Sequence, residues 1–224
     1  MIKAVYFDLF FTLIVPTYKN TNNEFDILNL SVVEWENYAE NDLLYKERAL
    51  GFIKSEEDII DKIISTIPFK VNQLQKKEVL LAREDRMKSA LQNVSTDIIN
   101  TLKSLKNKNI KLGLISNADI IDCKHWNQSQ LSSLFDDVIF SCNVGMLKPD
   151  RRIYELAMNR LNVLPSECMF VGDGGSNELY GAKSVGMKTV FTEALEVKTD
   201  EKRTSIMEYA DYHVKCFREI LNCI

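Results

Sequence analysis

Short apolar runs that each end in a polar residue recur along the chain, and they constrain the fold more than any other feature of the sequence. Runs of this length and composition are typical of parallel strands that are buried on both faces. They predict a parallel sheet with polar residues at the carboxyl ends of its strands. The runs and the residues that follow them are Ala4–Phe7 with Asp8, Leu112–Ile115 with Ser116, and Cys168–Val171 with Gly172 and Asp173.

Segments with the period of a helix lie between these runs. One apolar stripe comprises Ile98, Ile99, Leu102 and Leu105, and another comprises Ile153, Leu156, Ala157 and Leu161, with Pro149 placed to open that helix. A third helix is expected from about Asn177 to Val185, ending at Gly186. Strand and helix therefore alternate from about Ser95 onward. This order predicts an α/β fold with a doubly wound, Rossmann-like parallel sheet, which binds ligands at the carboxyl ends of its strands.

Residues 15–92 interrupt this alternation, because they carry helical pattern without convincing strands. Ser55 and the acidic residues after it resemble a capped helix start, and Gln73–Leu91 predicts a long helix with a mostly solvated face. Since the block follows the first strand, we expect an all-helical insertion. The predicted division is a core of residues 1–14 and 93–224 with a helical domain of residues 15–92, hinged near Pro16–Glu24 and Gln92–Ser95.

Charge and composition exclude several classes of partner. A net charge of −4 gives no long-range attraction for nucleic acid or an anionic membrane. The apolar start is broken by Asp8, so we expect neither a signal peptide nor a membrane span, and a cytoplasmic location. Five scattered cysteines and two histidines argue against a disulfide framework, a structural zinc site and a histidine triad. The oligomeric state is left open.

The polar residues at the strand ends occur in an order that resembles the four motifs of the haloacid dehalogenase superfamily. The resemblance extends nearly end to end, because this superfamily also inserts a helical cap after its first motif. It implies a magnesium-dependent phosphatase of small phosphorylated metabolites. The segments that carry the resemblance are Asp8–Leu13, Ile115–Asn117, Gly145–Asp150 around Lys148, and Val171–Glu178 with the trailing Gly181-Ala182 and Val185–Met187.

The chemistry of phosphoryl transfer explains these residue types. The reaction depends on positioning and charge neutralisation, and a carboxylate that approaches a phosphate needs a hard cation such as Mg²⁺ with oxygen ligands. Asp8 and Asp173 would supply two carboxylates. The resemblance implies that Asp8 is the nucleophile and forms an aspartyl phosphate, and that the carbonyl of Phe10 and the carboxylate of Glu178 complete the Mg²⁺ site, the latter directly or through water. It also implies that Ser116, Asn117 and Lys148 bind the phosphate, Lys148 neutralises Asp8, and Thr12 orients the first loop.

Two residues of the first motif depart from the phosphatase pattern. Superfamily phosphatases usually carry a second Asp as general acid where this chain has Phe10, and a Gly where it has Phe11. A phenylalanine cannot transfer a proton, and a bulky aromatic residue is not expected to adopt a positive φ. Two alternatives therefore stay open. One is a 2-haloacid dehalogenase that uses the same Asp8, although such an enzyme has no use for the acidic last motif. The other is a weakly active or non-catalytic binding or regulatory protein.

Overall fold

A six-stranded parallel sheet with helices on both faces forms the centre of the molecule in the computed structural model, which describes residues 1–224. The strand order is β3-β2-β1-β4-β5-β6, and every neighbouring pair is parallel. The strands are β1 (Ala4–Phe7), β2 (Lys111–Ser116), β3 (Asp137–Phe140), β4 (Cys168–Gly172), β5 (Lys188–Thr192) and β6 (Tyr212–Val214). The predicted doubly wound α/β fold class is confirmed.

Eleven α-helices connect or follow the strands. The first five follow β1 and form one block, here called the helical segment (Glu24–Gln92). The helices are α1 (Glu24–Leu28), α2 (Val32–Ala39), α3 (Asp42–Ala49), α4 (Glu56–Ser65), α5 (Gln73–Gln92), α6 (Thr96–Asn107), α7 (Ile120–Cys123), α8 (Ser141–Val144), α9 (Arg151–Leu161), α10 (Glu178–Ser184) and α11 (Asp200–Met207). None of these helices has the combination of length and apolar character that crossing a bilayer requires.

The register of the central strands brings their carboxyl ends to one level. Phe7, the last residue of β1, pairs with Leu114 of β2 on one side and Val171 of β4 on the other. Because β1 lies between strands that follow it in sequence, the winding of the chain reverses there, and such a reversal leaves a crevice at the strand ends. The polar residues after β1, β2 and β4 therefore open onto a common space.

Successive side chains of the strands point to opposite faces of the sheet, and both faces are buried under helices. Val5 and Phe7 pack into one apolar cluster with the stripe of α6, whereas Ala4 and Tyr6 pack into a second cluster with α9 and α10. A parallel sheet covered on both sides is buried throughout, which accounts for the nearly continuous apolar runs in the sequence.

The helical segment has an apolar cluster of its own. Trp35 of α2, Ile59 and Ile63 of α4, and Val79 of α5 are fully buried in it. Ile121 of α7 belongs to the same cluster, so the helical segment packs directly against the loop region beyond β2. The domain boundaries at residues 14–15 and 92–93 stay a prediction.

Three local expectations were wrong. The face of α5 is not mostly solvated, because Arg83 and Arg86 are buried and form ion pairs with carboxylates of neighbouring elements. The helix expected to open at Pro149 begins at Arg151, since the side chain of Asp150 caps it by accepting from the Arg152 N–H. Phe11 has a φ of 58°, because the turn after β1 closes when its N–H donates to the carbonyl of Ile14 at 2.7 Å. That hydrogen bond helps to offset a conformational cost of order 1–2 kcal/mol.

Candidate active site

A cavity of about 860 Å³ lies at the carboxyl ends of the strands, with walls from both the sheet loops and the helical segment. Its volume falls within the range of small-molecule sites, and it is much larger than a phosphate ion needs. Five of the predicted site residues with functional side chains line it, together with Phe10. These five are Asp8, Asn117, Lys148, Asp173 and Glu178.

Lys148 holds two of these carboxylates together. Its Nζ lies 2.5 Å from Oδ1 of Asp8 and also forms an ion pair with Oε2 of Glu178. All three side chains are almost fully buried. Asp8 and Lys148 are 140 residues apart in sequence, so the contact is made by the fold itself. Lys148 thus lies between the two carboxylates, and its role of neutralising Asp8 during a reaction stays a prediction.

Asp173 completes a cluster of three buried carboxylates. One oxygen atom each of Asp8, Asp173 and Glu178 lies within 4.8 Å of the others. The loop after β4 makes this approach possible: the N–H of Gly174, at a φ of 87°, donates to Glu178 Oε1, and a Cβ on Gly172 would overlap that oxygen. An all-oxygen donor set of carboxylates is the type that Mg²⁺ prefers, so the residues present fit this ion.

The burial of these charges perturbs their protonation. Burial raises the pKa of Asp8, and the nearby Asp173 adds to this, whereas Lys148 lowers it. Burial and Asp8 together raise the pKa of Glu178 well above its ordinary value. Burial lowers the pKa of Lys148, but Asp8 and Glu178 outweigh this effect, so the pKa of the ammonium lies above its ordinary value. The cluster is therefore short of positive charge, and a divalent cation would relieve that shortage.

The remaining predicted residues occupy supporting positions. Asn117 fixes the backbone of Lys148, because its Oδ1 accepts from the Lys148 N–H at 2.8 Å and its Nδ2 donates to the Lys148 carbonyl at 3.2 Å. Thr12 is fully buried, with Oγ1 3.4 Å from Oδ2 of Asp8. Ser116 is also fully buried, and its Oγ has no hydrogen-bond partner. Neither Thr12 nor Ser116 reaches the cavity wall.

Lys198, in the loop after β5, is a cation of the site that the motifs do not contain. Its Nζ lies 2.5 Å from Oδ2 of Asp173 and 5.6 Å from the centre of the Phe11 ring. Phe10 and Phe11 are both half-buried on the cavity wall. The two aromatic rings thus give this side of the cavity an apolar surface.

Comparison with known proteins assigns the family. A model described as haloacid dehalogenase-like hydrolase matches residues 2–186, which is most of the chain. The chain belongs to this family. The glyceraldehyde 3-phosphate phosphatase of Pyrococcus furiosus is 34% identical over 127 residues, which are 55% of this chain and 51% of that protein. That of Methanocaldococcus jannaschii is 30% identical over 141 residues, covering 62% of this chain and 59% of that protein. The chain spans about half the length of the curated relatives it matches.

Solved structures of the haloacid dehalogenase-like family share the fold. A family enzyme from Bacteroides thetaiotaomicron, in complex with magnesium and inorganic phosphate, matches with a TM-score of 0.68 and 19% identity, covering 89% of this chain and 98% of that chain. A 2-haloacid dehalogenase from Pseudomonas syringae matches with a TM-score of 0.66 and 20% identity, covering 99% and 97%. Both kinds of enzyme therefore have this architecture, so the architecture alone does not select the reaction.

The sequence analysis did not identify the residues of the helical segment that line the cavity. Arg48 of α3 and Arg83 of α5 are buried in the cavity wall, as is Arg86, and Tyr45 also lines the cavity. A signal for α5 was present: Val79, Arg83, Arg86, Met87 and Ala90 recur at the spacing of one helix face and are all buried. Arginines on the same helix face as apolar residues indicate buried guanidinium groups that are paired with carboxylates of other elements.

Proposed function

We propose that the protein is a magnesium-dependent phosphatase of small phosphorylated metabolites, with Asp8 as the nucleophile and residues 15–92 as a cap over the site. The observation that supports this most directly is the ion-paired Asp8–Lys148–Glu178 group with Asp173 beside it, buried in one cavity. A single cation site next to a buried carboxylate and a buried lysine is what an in-line attack on a phosphate requires.

Mg²⁺ would be held by carboxylate oxygens of Asp8 and Asp173. The carbonyl of Phe10 is a further ligand in this proposal, and the carboxylate of Glu178 completes the site directly or through water. When bound, the ion neutralises charge on the nucleophile and on the transferred phosphoryl group.

The proposed reaction consists of two displacements at phosphorus, the first by Asp8 and the second by water. A carboxylate oxygen of Asp8 attacks the phosphorus, and the bond from phosphorus to the leaving oxygen breaks. The leaving oxygen keeps the electron pair of that bond and takes a proton from water. Water then attacks the phosphorus of the aspartyl phosphate, the bond to Asp8 breaks, and inorganic phosphate leaves. Lys148 neutralises Asp8 and the phosphoryl oxygens throughout, while Asn117 keeps Lys148 in place. In this proposal Asn117 binds the phosphate from the cavity wall, and Thr12 steadies the first loop through Asp8. The predicted phosphate contact of Ser116 requires its buried, unpartnered Oγ to reach the cavity.

The curated relatives support phosphoryl chemistry and a small substrate, since two glyceraldehyde 3-phosphate phosphatases are 34% and 30% identical to this chain over 127 and 141 residues. Phe10 is the one observation that favours the second candidate, a 2-haloacid dehalogenase, because it removes the usual general acid of a phosphatase. The acidic cluster favours the phosphatase, since displacement of halide without a metal has no use for Asp173 and Glu178.

Phosphate release from a panel of phosphorylated metabolites, with and without magnesium, tests the proposal. We expect release that depends on magnesium and is abolished by Asp8→Asn, which keeps the shape of the side chain but removes the nucleophilic charge. Asp97→Asn is the matched control, because Asp97 is exposed at the start of α6 and does not line the cavity. Equal release by the unmodified protein and the Asp8 variant would exclude Asp8 as the nucleophile. Halide release from haloacids without metal would select the dehalogenase instead.

A further inference from the structure

A second polar cluster faces the cavity from the side of the helical segment. Arg48 of α3 and Arg83 of α5 both approach Oδ2 of Asp119, at 3.2 Å from Nε and 3.1 Å from Nη2 respectively. Arg83 Nη2 also donates to Asp122 Oδ1 at 2.9 Å, and Arg48 Nη2 donates to Glu40 Oε2 at 2.5 Å. Here these five residues are called the arginine cluster.

Three donors of the arginine cluster have no hydrogen-bond partner. They are Nε of Arg48 and both Nε and Nη1 of Arg83. The two side chains are only 2% and 1% exposed, yet both line the cavity. Nη1 of Arg83 is 3.7 Å from Glu40 Oε1, too far for a hydrogen bond, and the contact of Arg48 Nε with Asp119 is not aligned as one. Buried guanidinium N–H groups without acceptors are costly, and these three atoms are almost inaccessible in the empty cavity. Because both side chains line the cavity, a rotation that brings such a donor to an oxygen acceptor on an occupant is favoured.

The charge of the arginine cluster decides which acceptors fit. Two guanidinium groups face three carboxylates, and Glu36 adds another carboxylate to the cavity wall. No positive charge remains for a second anionic group, so a carboxylate there would be repelled. A hydroxyl group suits the surroundings better, because its oxygen can accept from Arg83 while its hydrogen donates to a carboxylate such as Glu40.

We propose that the arginine cluster is the subsite for the non-transferred end of the substrate, and that it selects neutral, polyhydroxylated phosphate monoesters over esters with a bare alkyl chain or a carboxylate. The inference rests on the proposed phosphatase, in which the phosphate binds beside Asp8. The cavity continues from Asp8 to Arg83, and its volume of about 860 Å³ accommodates a chain of several hydroxylated carbons as well as the phosphate.

Binding of three matched esters tests the subsite separately from turnover. Sorbitol phosphate, hexyl phosphate and phosphogluconate share a six-carbon chain and differ in hydroxyl and carboxylate groups. Dissociation constants are measured by titration calorimetry with magnesium, on the Asp8→Asn protein so that no ester is consumed. We expect sorbitol phosphate to bind at least about tenfold more tightly than either of the others, the ratio that about 1.4 kcal/mol of net hydrogen bonding gives.

Conservative variants test whether the arginine cluster causes the expected ratio of dissociation constants. Arg83→Lys and Arg48→Lys keep the positive charge but remove the guanidinium donors, and we expect each to reduce the preference for sorbitol phosphate over hexyl phosphate to within about threefold. Arg160→Lys is the matched control, since Arg160 lies on α9, is 41% exposed and does not line the cavity. It should leave the ratio unchanged.

Each other outcome overturns the inference. Equal affinity for sorbitol phosphate and hexyl phosphate would show that no hydroxyl subsite exists. Tightest binding of phosphogluconate would show an anion subsite instead. Failure of the unmodified protein to release phosphate from any ester would refute the proposed phosphatase, whereas the ratio of binding constants would still decide whether the arginine cluster recognises hydroxyl groups.

Discussion

Replacement of Lys148 by methionine isolates the electrostatic cost of the active-site cluster. Lys148 is 4% exposed and forms ion pairs with Asp8 and Glu178, which are themselves buried. The methionine side chain resembles the apolar stem of lysine in length, so the substitution removes the charge with little loss of packing. Removing one partner of a buried ion pair leaves uncompensated charge and costs about 3–5 kcal/mol. For a chain of this size that corresponds to a fall in Tm of roughly 6–20 °C.

The pH dependence of this loss has a definite sign. Burial raises the pKa of Asp8 and of Glu178 in the folded protein, and removal of Lys148 raises both further. Groups with a raised folded pKa contribute stability below their unfolded pKa, near 4, and this contribution is lost as the pH rises through the folded pKa. The penalty of Lys148→Met therefore grows as the pH rises through the folded pKa values of these carboxylates and shrinks as the pH falls toward 4.

Urea denaturation with a chelator present, at several pH values, measures this penalty. Lys183→Met is the matched control, because Lys183 is exposed and pairs with an exposed carboxylate of Asp211, a contact worth about 0–1 kcal/mol. A loss for Lys148→Met no greater than that of the control, or one that does not change with pH, would refute the account of the cluster.

Three further predictions follow from other contacts. Phe10→Asp places an acid on the cavity wall, and we expect kcat on alkyl phosphate esters to rise toward the ~10²-fold that a general acid supplies, with little change for acetyl phosphate. Magnesium at 100 times its Kd should raise Tm by roughly 5–10 °C in calorimetric scans, and Asp173→Asn should abolish most of that shift. The hydrogen bond with Arg203 lowers the pKa of Glu193 to about 2, so its stabilisation is present above its unfolded pKa and is lost as the pH falls through about 2. Glu193→Gln should therefore cost about 1 kcal/mol at pH 7 in urea titrations, because solvent screens the partly exposed Arg203, and much less near pH 2.

The core of the fold was predictable because its signals are local. Apolar runs that end in Asp8, Ser116 and Asp173 mark buried parallel strands, and the register of such strands brings their ends together. Lys148 could be placed only by its motif, since nothing near it in sequence indicates contact with a residue 140 positions away.

The walls of the cavity were less predictable, because they depend on packing between distant elements. Arg83 looks like a surface residue in a charged helix, and only the approach of Asp119 and Asp122 makes its burial favourable. Lys198 belongs to no motif, and its place beside Asp173 follows from the loop after β5. Phe11 adopts a conformation that its residue type disfavours, because the hydrogen bonds of the turn outweigh the local preference.

A single turnover in water enriched in heavy oxygen, followed by mass spectrometry of the peptide containing Asp8 and of the product, tests the central claim most directly. If Asp8 attacks phosphorus, water later cleaves the bond between phosphorus and oxygen, so the heavy oxygen appears in inorganic phosphate and Asp8 stays unlabelled. Heavy oxygen in the Asp8 carboxylate would mean that water attacked the carbon of an aspartyl ester, as in a dehalogenase. That result would contradict a phosphatase mechanism at Asp8.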